Sequence, residues 1–329
     1  MTDPLILAIP SKGRMRDDAM AFFTDCGLKV ETGGGRGYSA TLRNGPGVDV
    51  RLLSASDIAQ SLLTGEAHLG LTGLDLIEEH CRSAPPLLLK PLGFGHADVV
   101  VATPAAWIDV STMSDLEDVS AGYVRAHGRK FRVATKYINL TTRFFAEKGL
   151  ADYRIVESLG ATEAAPAAGA AEAIVDITST GATLAANNLK ILDDGLILRS
   201  EAHLAASMRA EWTESARAAA RIILDRISAR ALGLDVKEIR YRTPKPNVAL
   251  VERLVRDHGC AAPFGAETRS DLGEMLIHCP FERMYEVVKI LQGEGAQIVV
   301  ASTADYIFEA DNPLYAKLEA QLDGAEPLT

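Results

Sequence analysis

Asp176 is the residue around which a reaction is most readily built. It stands near the end of a short apolar run, Ala173-Ile174-Val175-Asp176-Ile177, and is followed by Thr178-Ser179-Thr180-Gly181-Ala182-Thr183. The first run reads as a buried strand that carries a single carboxylate. The second is a hydroxyl-rich turn leading into a helical pattern over 184–189. Between a strand and a helix, Gly, Ser and Thr let backbone N–H groups and hydroxyls surround a phosphate. An acid just ahead of such a turn is placed for ribose hydroxyls, directly or through a bridging metal ion. On the amino side, 163–173 is alanine-rich and predicts a helix, because alanine loses no side-chain entropy there. Pro166 suits its first turn, and Glu163 at its start either orients substrate or caps the helix. Taken alone, the turn would equally serve an ordinary strand–helix loop with capping hydroxyls.

Three other stretches carry groups of the same kind. Ser11-Lys12-Gly13-Arg14 follows a strand pattern at 5–9 and opens a helix over 15–26. A hydroxyl, two cations and a flexible glycine at a helix start form an anion-binding arrangement, though not a Walker loop, which needs more glycines in another order; the four residues alone read more readily as a solvated basic turn. Gly70-Leu71-Thr72-Gly73-Leu74-Asp75 is a second strand that runs into a Thr-Gly turn and a helix. After a strand at 131–135, Lys136-Tyr137-Ile138-Asn139-Leu140-Thr141 offers a ring to stack on a base and an amide or hydroxyl for phosphate, although Asn139 and Thr141 are equally common at helix starts. The glycine-rich segment 31–47 reads either as a mobile hairpin or loop whose Arg36 and Arg43 could reach a substrate phosphate or as a floppy surface turn.

The elements that must position these groups alternate between strand and helix, which argues an α/β fold with mostly parallel sheets. Further strands are expected at 48–53, 87–94, 98–103 and 155–159, then at 189–192 and 196–200, with helices at 56–63 and 142–148. Residues 119–130, rich in Gly, Arg and His, read as a loop. A long helix is expected from Thr213, as its cap, to a stop at Gly233. Beyond it the order is β-α-β-β-α-β, with strands at 236–242, 260–264, 274–279 and 297–301 and helices at 247–258 and 281–292, the layout of a ferredoxin-like unit. The second strand is its weakest member. A tail helix around Pro313, over 305–322, closes the pattern.

With 329 residues, 47% of them hydrophobic and 24% charged, the chain has material for two or three domains and ordinary globular composition. A formal net charge of −10 argues against nucleic acid or an anionic membrane as partner. Any site for a polyanion must therefore be locally positive. Cys26, Cys81, Cys260 and Cys279 are scattered, which suits a reduced compartment better than a disulfide framework or a zinc site. The start lacks the pattern of a secretory signal, and no run is long enough to span a bilayer, so a cytoplasmic protein is expected.

The stretch 163–184 resembles the signature of the ATP phosphoribosyltransferases, with Glu163, Gly169, Ile174, Asp176, Thr180, Gly181, Thr183 and Leu184 in the matching positions. The start Ile9-Pro10-Ser11-Lys12-Gly13-Arg14, the Thr72-Gly73-Leu74-Asp75 turn and the Tyr137-Ile138-Asn139-Leu140-Thr141 turn are similar to that family as well. The resemblance covers 5 to about 207 and is looser beyond, where layout and short phrases match.

The resemblance implies two lobes like those of periplasmic binding proteins with a cleft between them, lobe I from 1–97 and 187–212 and lobe II from 98–186. A connecting helix at 213–234 and an ACT-like regulatory domain at 235–329 would follow, the long form of the family. It implies transfer of phosphoribosyl from phosphoribosyl diphosphate to a ring nitrogen of the adenine of ATP, the pentosyl transfer that opens histidine biosynthesis. Asp176 and Glu163 would be catalytic, and Asp176 with Thr178, Ser179, Thr180, Gly181, Ala182 and Thr183 would hold phosphoribosyl diphosphate. ATP and its polyphosphate would fall to Ser11, Lys12, Gly13, Arg14, Thr72, Gly73, Asp75 and Tyr137. Mg²⁺ would bind mainly through the substrate diphosphate, histidine would inhibit, and the chain would assemble as a homo-oligomer, dimer and hexamer. The rivals are a two-lobed small-anion binding protein without catalysis, a non-catalytic regulatory subunit, and another phosphoribosyltransferase type. The last usually carries two adjacent acids before the turn, where here only Asp176 precedes it.

Overall fold

The computed structural model describes residues 3–32, 39–80, 84–243, 247–265 and 274–324. Arg36 and Cys81 lie outside them. The chain forms two compact units: Lys29–Ala219 with the segment up to Phe22 and the end from Ala320, and Ala220–Glu319 with Phe23–Leu28.

The first unit holds two sheets. The chain begins with β1 (Leu5–Pro10), α1 (Gly13–Asp25), β2 (Val30–Thr32), β3 (Ser39–Leu42), β4 (Val48–Leu53), α2 (Ala55–Thr64), β5 (Leu69–Gly73), α3 (Leu74–His80) and β6 (Leu87–Pro91). It continues with β7 (Ala97–Pro104), α4 (Met113–His127), β8 (Phe131–Thr135), α5 (Ile138–Glu147), β9 (Tyr153–Glu157), β10 (Ala173–Thr178), α6 (Ala182–Ala186), β11 (Leu189–Ser200) and β12 (Ala202–Ala206). Sheet I has the order β2-β3-β4-β1-β5-β12-β6 and sheet II the order β11-β7-β10-β8-β9.

The two sheets repeat one plan. In sheet I, β1 lies between parallel β4 and β5, and antiparallel β12 follows next to β5. In sheet II, β8 lies between parallel β9 and β10, and antiparallel β7 follows next to β10. Each antiparallel strand enters its sheet from the other one, β7 after β6 and β12 after β11. The chain thus crosses twice, as the two-lobed layout requires. The carboxyl ends of the parallel strands, where open α/β sheets bind ligands, are Pro10, Leu53 and Gly73 in sheet I and Thr135, Glu157 and Thr178 in sheet II.

Burial follows the strand patterns. Leu5, Leu7 and Ile9 are fully buried in sheet I, and Val99, Val101, Phe131, Val133, Ala173 and Val175 form one face of sheet II against α4 and α5. Ala134 and Ile174 point to the opposite face with Leu184 and Leu189. Each buried Val, Leu or Ile side chain among them contributes about 1.5–3 kcal/mol.

Several expectations give way here. The sheets are not mostly parallel: among the described residues of sheets I and II four strand pairs are parallel and six antiparallel, because hairpin partners and crossing strands flank each parallel core. Residues 119–130 are not a loop: most belong to α4, fixed by a capping box in which Thr112 and Asp115 bond each other's backbone, and ended by Gly128. The alanine-rich stretch 163–173 is not a helix. A 3₁₀ turn, Thr162–Ala164, passes into irregular turns, because Pro166 offers no N–H and Ala171 and Ala173 are drawn into the core of sheet II. β11 is one strand with register shifts where two were expected, and it pairs with β7. The return to sheet I therefore comes at β12 and not at residue 187. β12 itself, Ala-His-Leu-Ala-Ala, has weak strand propensity and is placed by burial between β5 and β6.

The second unit continues from α7 (Glu214–Asp235) with β13 (Val236–Arg242), α8 (Val248–His258), β14 (Glu274–Pro280), α9 (Met284–Gly293), β15 (Ile298–Ser302) and α10 (Pro313–Gly324), the last reaching back into the first unit's residues. Thr213 caps α7 by accepting from the Ala216 N–H, but Gly233 does not end it, since one glycine costs only about 1 kcal/mol in a helix. The sheet order is β14-β13-β15, all antiparallel. The expected strand at 260–264 is reduced to one bridge, Ala261 to His278, on the outer side of β14. This is the ferredoxin-like order with its second strand almost gone. Residues 305–312 are not helical, and α10 starts at Pro313 with Asn312 Oδ1 accepting from the N–H groups of Leu314 and Tyr315. No helix among the described residues is long and apolar enough to cross a membrane.

Candidate active site

The carboxyl end of β10 carries the candidate site. Ile174 pairs with Ala134 of β8, and Lys136, the residue directly after that strand, is near enough for its charge to act on Asp176. Asp176 is half-buried, and its Oδ1 accepts from the Ile177 N–H at 2.8 Å. Burial pushes its carboxyl above the usual Asp range; the Ile177 N–H and the Lys136 charge oppose that, and the Glu163 charge adds to it. Asp176, Glu163 and Lys136 are therefore one electrostatic cluster, and only the two acids were expected from the sequence. Lys136 was legible as a cation directly after a parallel strand.

Beyond Asp176 the chain folds into an open turn. The Thr178 hydroxyl accepts from the Gly181 N–H at 2.8 Å, and the Thr180 hydroxyl from the Ala182 N–H at 3.4 Å. Gly181 has φ +74°, which a β-branched residue adopts only under strain. Ser179, Thr180, Ala182 and Thr183 are exposed. The turn thus presents hydroxyls and backbone to solvent while Leu184 anchors it in the core.

Thr72, Asp75 and Tyr137 depart from expectation. The resemblance assigns them to ATP, but all three are buried. The Tyr137 hydroxyl donates to Asp75 Oδ2 at 2.7 Å, the Ser200 hydroxyl donates to Asp75 Oδ1 at 2.8 Å, and Thr72 donates to the Ala55 carbonyl. Burial and the neighbouring carboxylates push the Tyr137 phenol far upward, so it stays protonated and donates. Gly73 is required next to this knot, because a Cβ there would run into Asp75 Oδ1. Tyr137 has no free face for a base among these contacts.

Asn139 and Thr141, offered for phosphate, are also engaged. Glu79 at the end of α3 accepts from the N–H groups of Asn139 and Leu140, both at 2.9 Å, and so fills the amino end of α5. Thr141 donates to the Tyr137 carbonyl. These bonds tie α3 of sheet I to the β8–α5 turn of sheet II, and they bring the carboxyl ends of the two sheets together.

Ser11, Lys12, Gly13 and Arg14 sit at the carboxyl end of β1. The Ser11 N–H bonds the Leu53 carbonyl, Lys12 and Arg14 are exposed, and Arg14 makes a loose pair with Asp18 at 3.7 Å. Both cations are available to an anion. Arg43 is spent on Glu31 at 2.7 Å. No cluster of three metal-binding side chains occurs among the described residues.

The fold is that of a two-lobed α/β protein with an acid, an exposed hydroxyl turn and two exposed cations at its strand ends, groups suited in kind to phosphorylated sugars or nucleotides. The sequence model of the family described as HisG: ATP phosphoribosyltransferase matches residues 54–229. An ATP phosphoribosyltransferase of Bradyrhizobium sp. is 51% identical over 98% of this chain and 99% of its own length, and one of Rhodopseudomonas palustris is 52% identical over the same shares. Among solved structures, the ATP phosphoribosyl transferase (HisG:HisZ) complex from Thermotoga maritima is similar with a TM-score of 0.52 and 27% identity, covering 68% of this chain and 95% of that one. The chain belongs to the ATP phosphoribosyltransferase family.

Proposed function

We propose that this chain transfers the phosphoribosyl group of phosphoribosyl diphosphate to a ring nitrogen of the adenine of ATP, the first step of histidine biosynthesis. The bond from the anomeric carbon to diphosphate breaks as the bond to the ring nitrogen forms. Positive charge grows on the sugar and negative charge on the departing diphosphate, so catalysis rests on positioning and electrostatics. What supports the reading best is the juxtaposition at the end of β10: a half-buried acid followed by an exposed hydroxyl turn, in a chain of this family. The turn 178–183 holds the 5′-phosphate, Asp176 the ribose hydroxyls, and Lys12 and Arg14 the polyphosphate of ATP. Glu163 reinforces the negative field at Asp176.

Mg²⁺ fits this site as a substrate-borne ion. Two carboxylates, Asp176 and Glu163, with no cluster of three among the described residues, match the habit of Mg²⁺ to take few protein ligands beside substrate phosphates. Its chemistry would be to neutralise charge on the leaving diphosphate. In the second unit, β15 exposes Ile298 and Val300 on an unpaired edge strand, which suits pairing between copies in a homo-oligomer. That unit carries no metal-binding cluster among its described residues, and it acts as the sensor through which histidine inhibits. The test of the main reading is direct: protein, ATP, phosphoribosyl diphosphate and Mg²⁺ should release diphosphate and red-shift the adenine absorbance. Omission of phosphoribosyl diphosphate must abolish both signals.

A further inference from the structure

We propose that Lys136 binds the diphosphate end of phosphoribosyl diphosphate, opposite the turn that takes its 5′-phosphate. The proposal rests on the phosphoribosyl reading above and extends it to a residue that reading leaves without a role. Sheet II sets the direction. The turn 178–183 leads through α6 to β11, on the β7 side of β10, and the Cβ position of Gly181 lies 3.9 Å from Ile191 of β11. β8 flanks β10 on the other side. A ribose held at Asp176 with its 5′-phosphate in the turn therefore points its anomeric carbon towards the end of β8. Lys136 stands there, directly after Thr135 at the carboxyl end of β8, and its charge acts on Asp176.

The side chain is prepared for an anion. Lys136 is exposed and makes no ion pair within 4 Å among the described residues. Its Nζ lies 4.8 Å from the centroid of the Tyr137 ring, and that ring is fixed by its bond to Asp75. Stacking a cation on a ring restricts the lysine without consuming its three donors. Tyr137 thus serves as a platform for Lys136, where its sequence context suggested a platform for a base. Lys136 also acts on Asp176 through its charge, so a purely compensating role for the cation has to be separated by the test.

Ribose 5-phosphate provides that separation, because it keeps the 5′-phosphate and the hydroxyls but lacks the diphosphate. Calorimetry on the full chain should show Lys136→Met weakening phosphoribosyl diphosphate about tenfold to a hundredfold. Ribose 5-phosphate affinity should stay within about twofold on the same scale. Lys136→Arg should restore most of the loss, and all three proteins should melt together. Equal weakening of both ligands would show that Lys136 works through Asp176 or the turn, and would overturn the proposal. No weakening of either would make it a solvated side chain, and would overturn the proposal as well. A wild-type chain that binds neither ligand would remove the phosphoribosyl reading itself, an outcome visible before any variant is made.

Discussion

Asp176 is an acid whose surroundings work against its charge, since burial favours the protonated form and Glu163 adds to that preference. A carboxylate is nonetheless the form that accepts from ribose hydroxyls or meets a cation. Activity should therefore fall on acidification through a pKa higher than that of an ordinary aspartate, as the raised value protonates it sooner. Asp176→Asn should keep the fold, lose about a hundredfold in turnover and lack that acid limb. Near-wild-type turnover in the pH–rate profile would reduce Asp176 to a strand-end residue. Gly181 gives the companion prediction. At φ +74°, Gly181→Val strains the turn and sets a branched side chain beside the phosphate path. Calorimetry should find phosphoribosyl diphosphate weakened by at least about tenfold more than ATP. Equal weakening would move the 5′-phosphate site elsewhere.

The sheet II elements show what the sequence made legible and what it hid. The strand of Ala173–Thr178 and its hydroxyl turn stood out because apolar, β-branched periodicity and turn chemistry are local signals. The roles of Tyr137 and Asp75 did not, because they are 62 positions apart and meet only once both sheets are folded. A tyrosine after a strand looks the same whether it stacks on a base or bonds a distant acid. Tyr137→Phe tests this contact: it leaves a buried Asp75 oxygen without its donor, so stability should drop by about 1–3 kcal/mol. The KM for ATP should not move, whereas a stacking partner would also keep full stability. Glu172 was missed for the same reason. It is buried at the end of an alanine-rich stretch and receives Arg129 at 2.9 Å and Arg132 at 2.7 Å. Burial alone would push this carboxyl up; the donors of Arg129 and Arg132 overcome it and hold it at about 2. With the folded pKa depressed, its contribution is present above the unfolded value and disappears as pH falls through about 2. Glu172→Gln should cost about 2 kcal/mol at neutral pH, discounted because Arg129 is partly exposed. Urea melts of the two proteins should converge as the pH approaches that acid range, and a gap independent of pH would assign the loss to packing.

Between the two units the chain passes along α7, whose residues divide at Ala219 and Ala220. This division bears on how feedback is tested. Ending the chain after Leu232 would remove most of the second unit yet leave 220–232 without the packing that unit provides, so lost activity would be ambiguous. The intact chain offers a cleaner measurement. From the second unit, histidine can inhibit only by binding one arrangement of the protein more tightly than another, and a bound ligand slows amide exchange where it sits. Millimolar histidine should lower the rate of diphosphate release, and hydrogen exchange should slow in Val236–Arg242, Glu274–Pro280 or Ile298–Ser302, the three strands of the second unit's sheet. Coupling is reciprocal for binding, so saturating phosphoribosyl diphosphate should weaken histidine by the same factor that histidine weakens it. Slowed exchange confined to β10 and its turn would make histidine a competitor at the active site. Inhibition absent at every concentration would leave the second unit to hold copies together, and dilution of the protein, not histidine, would then be what changes its activity.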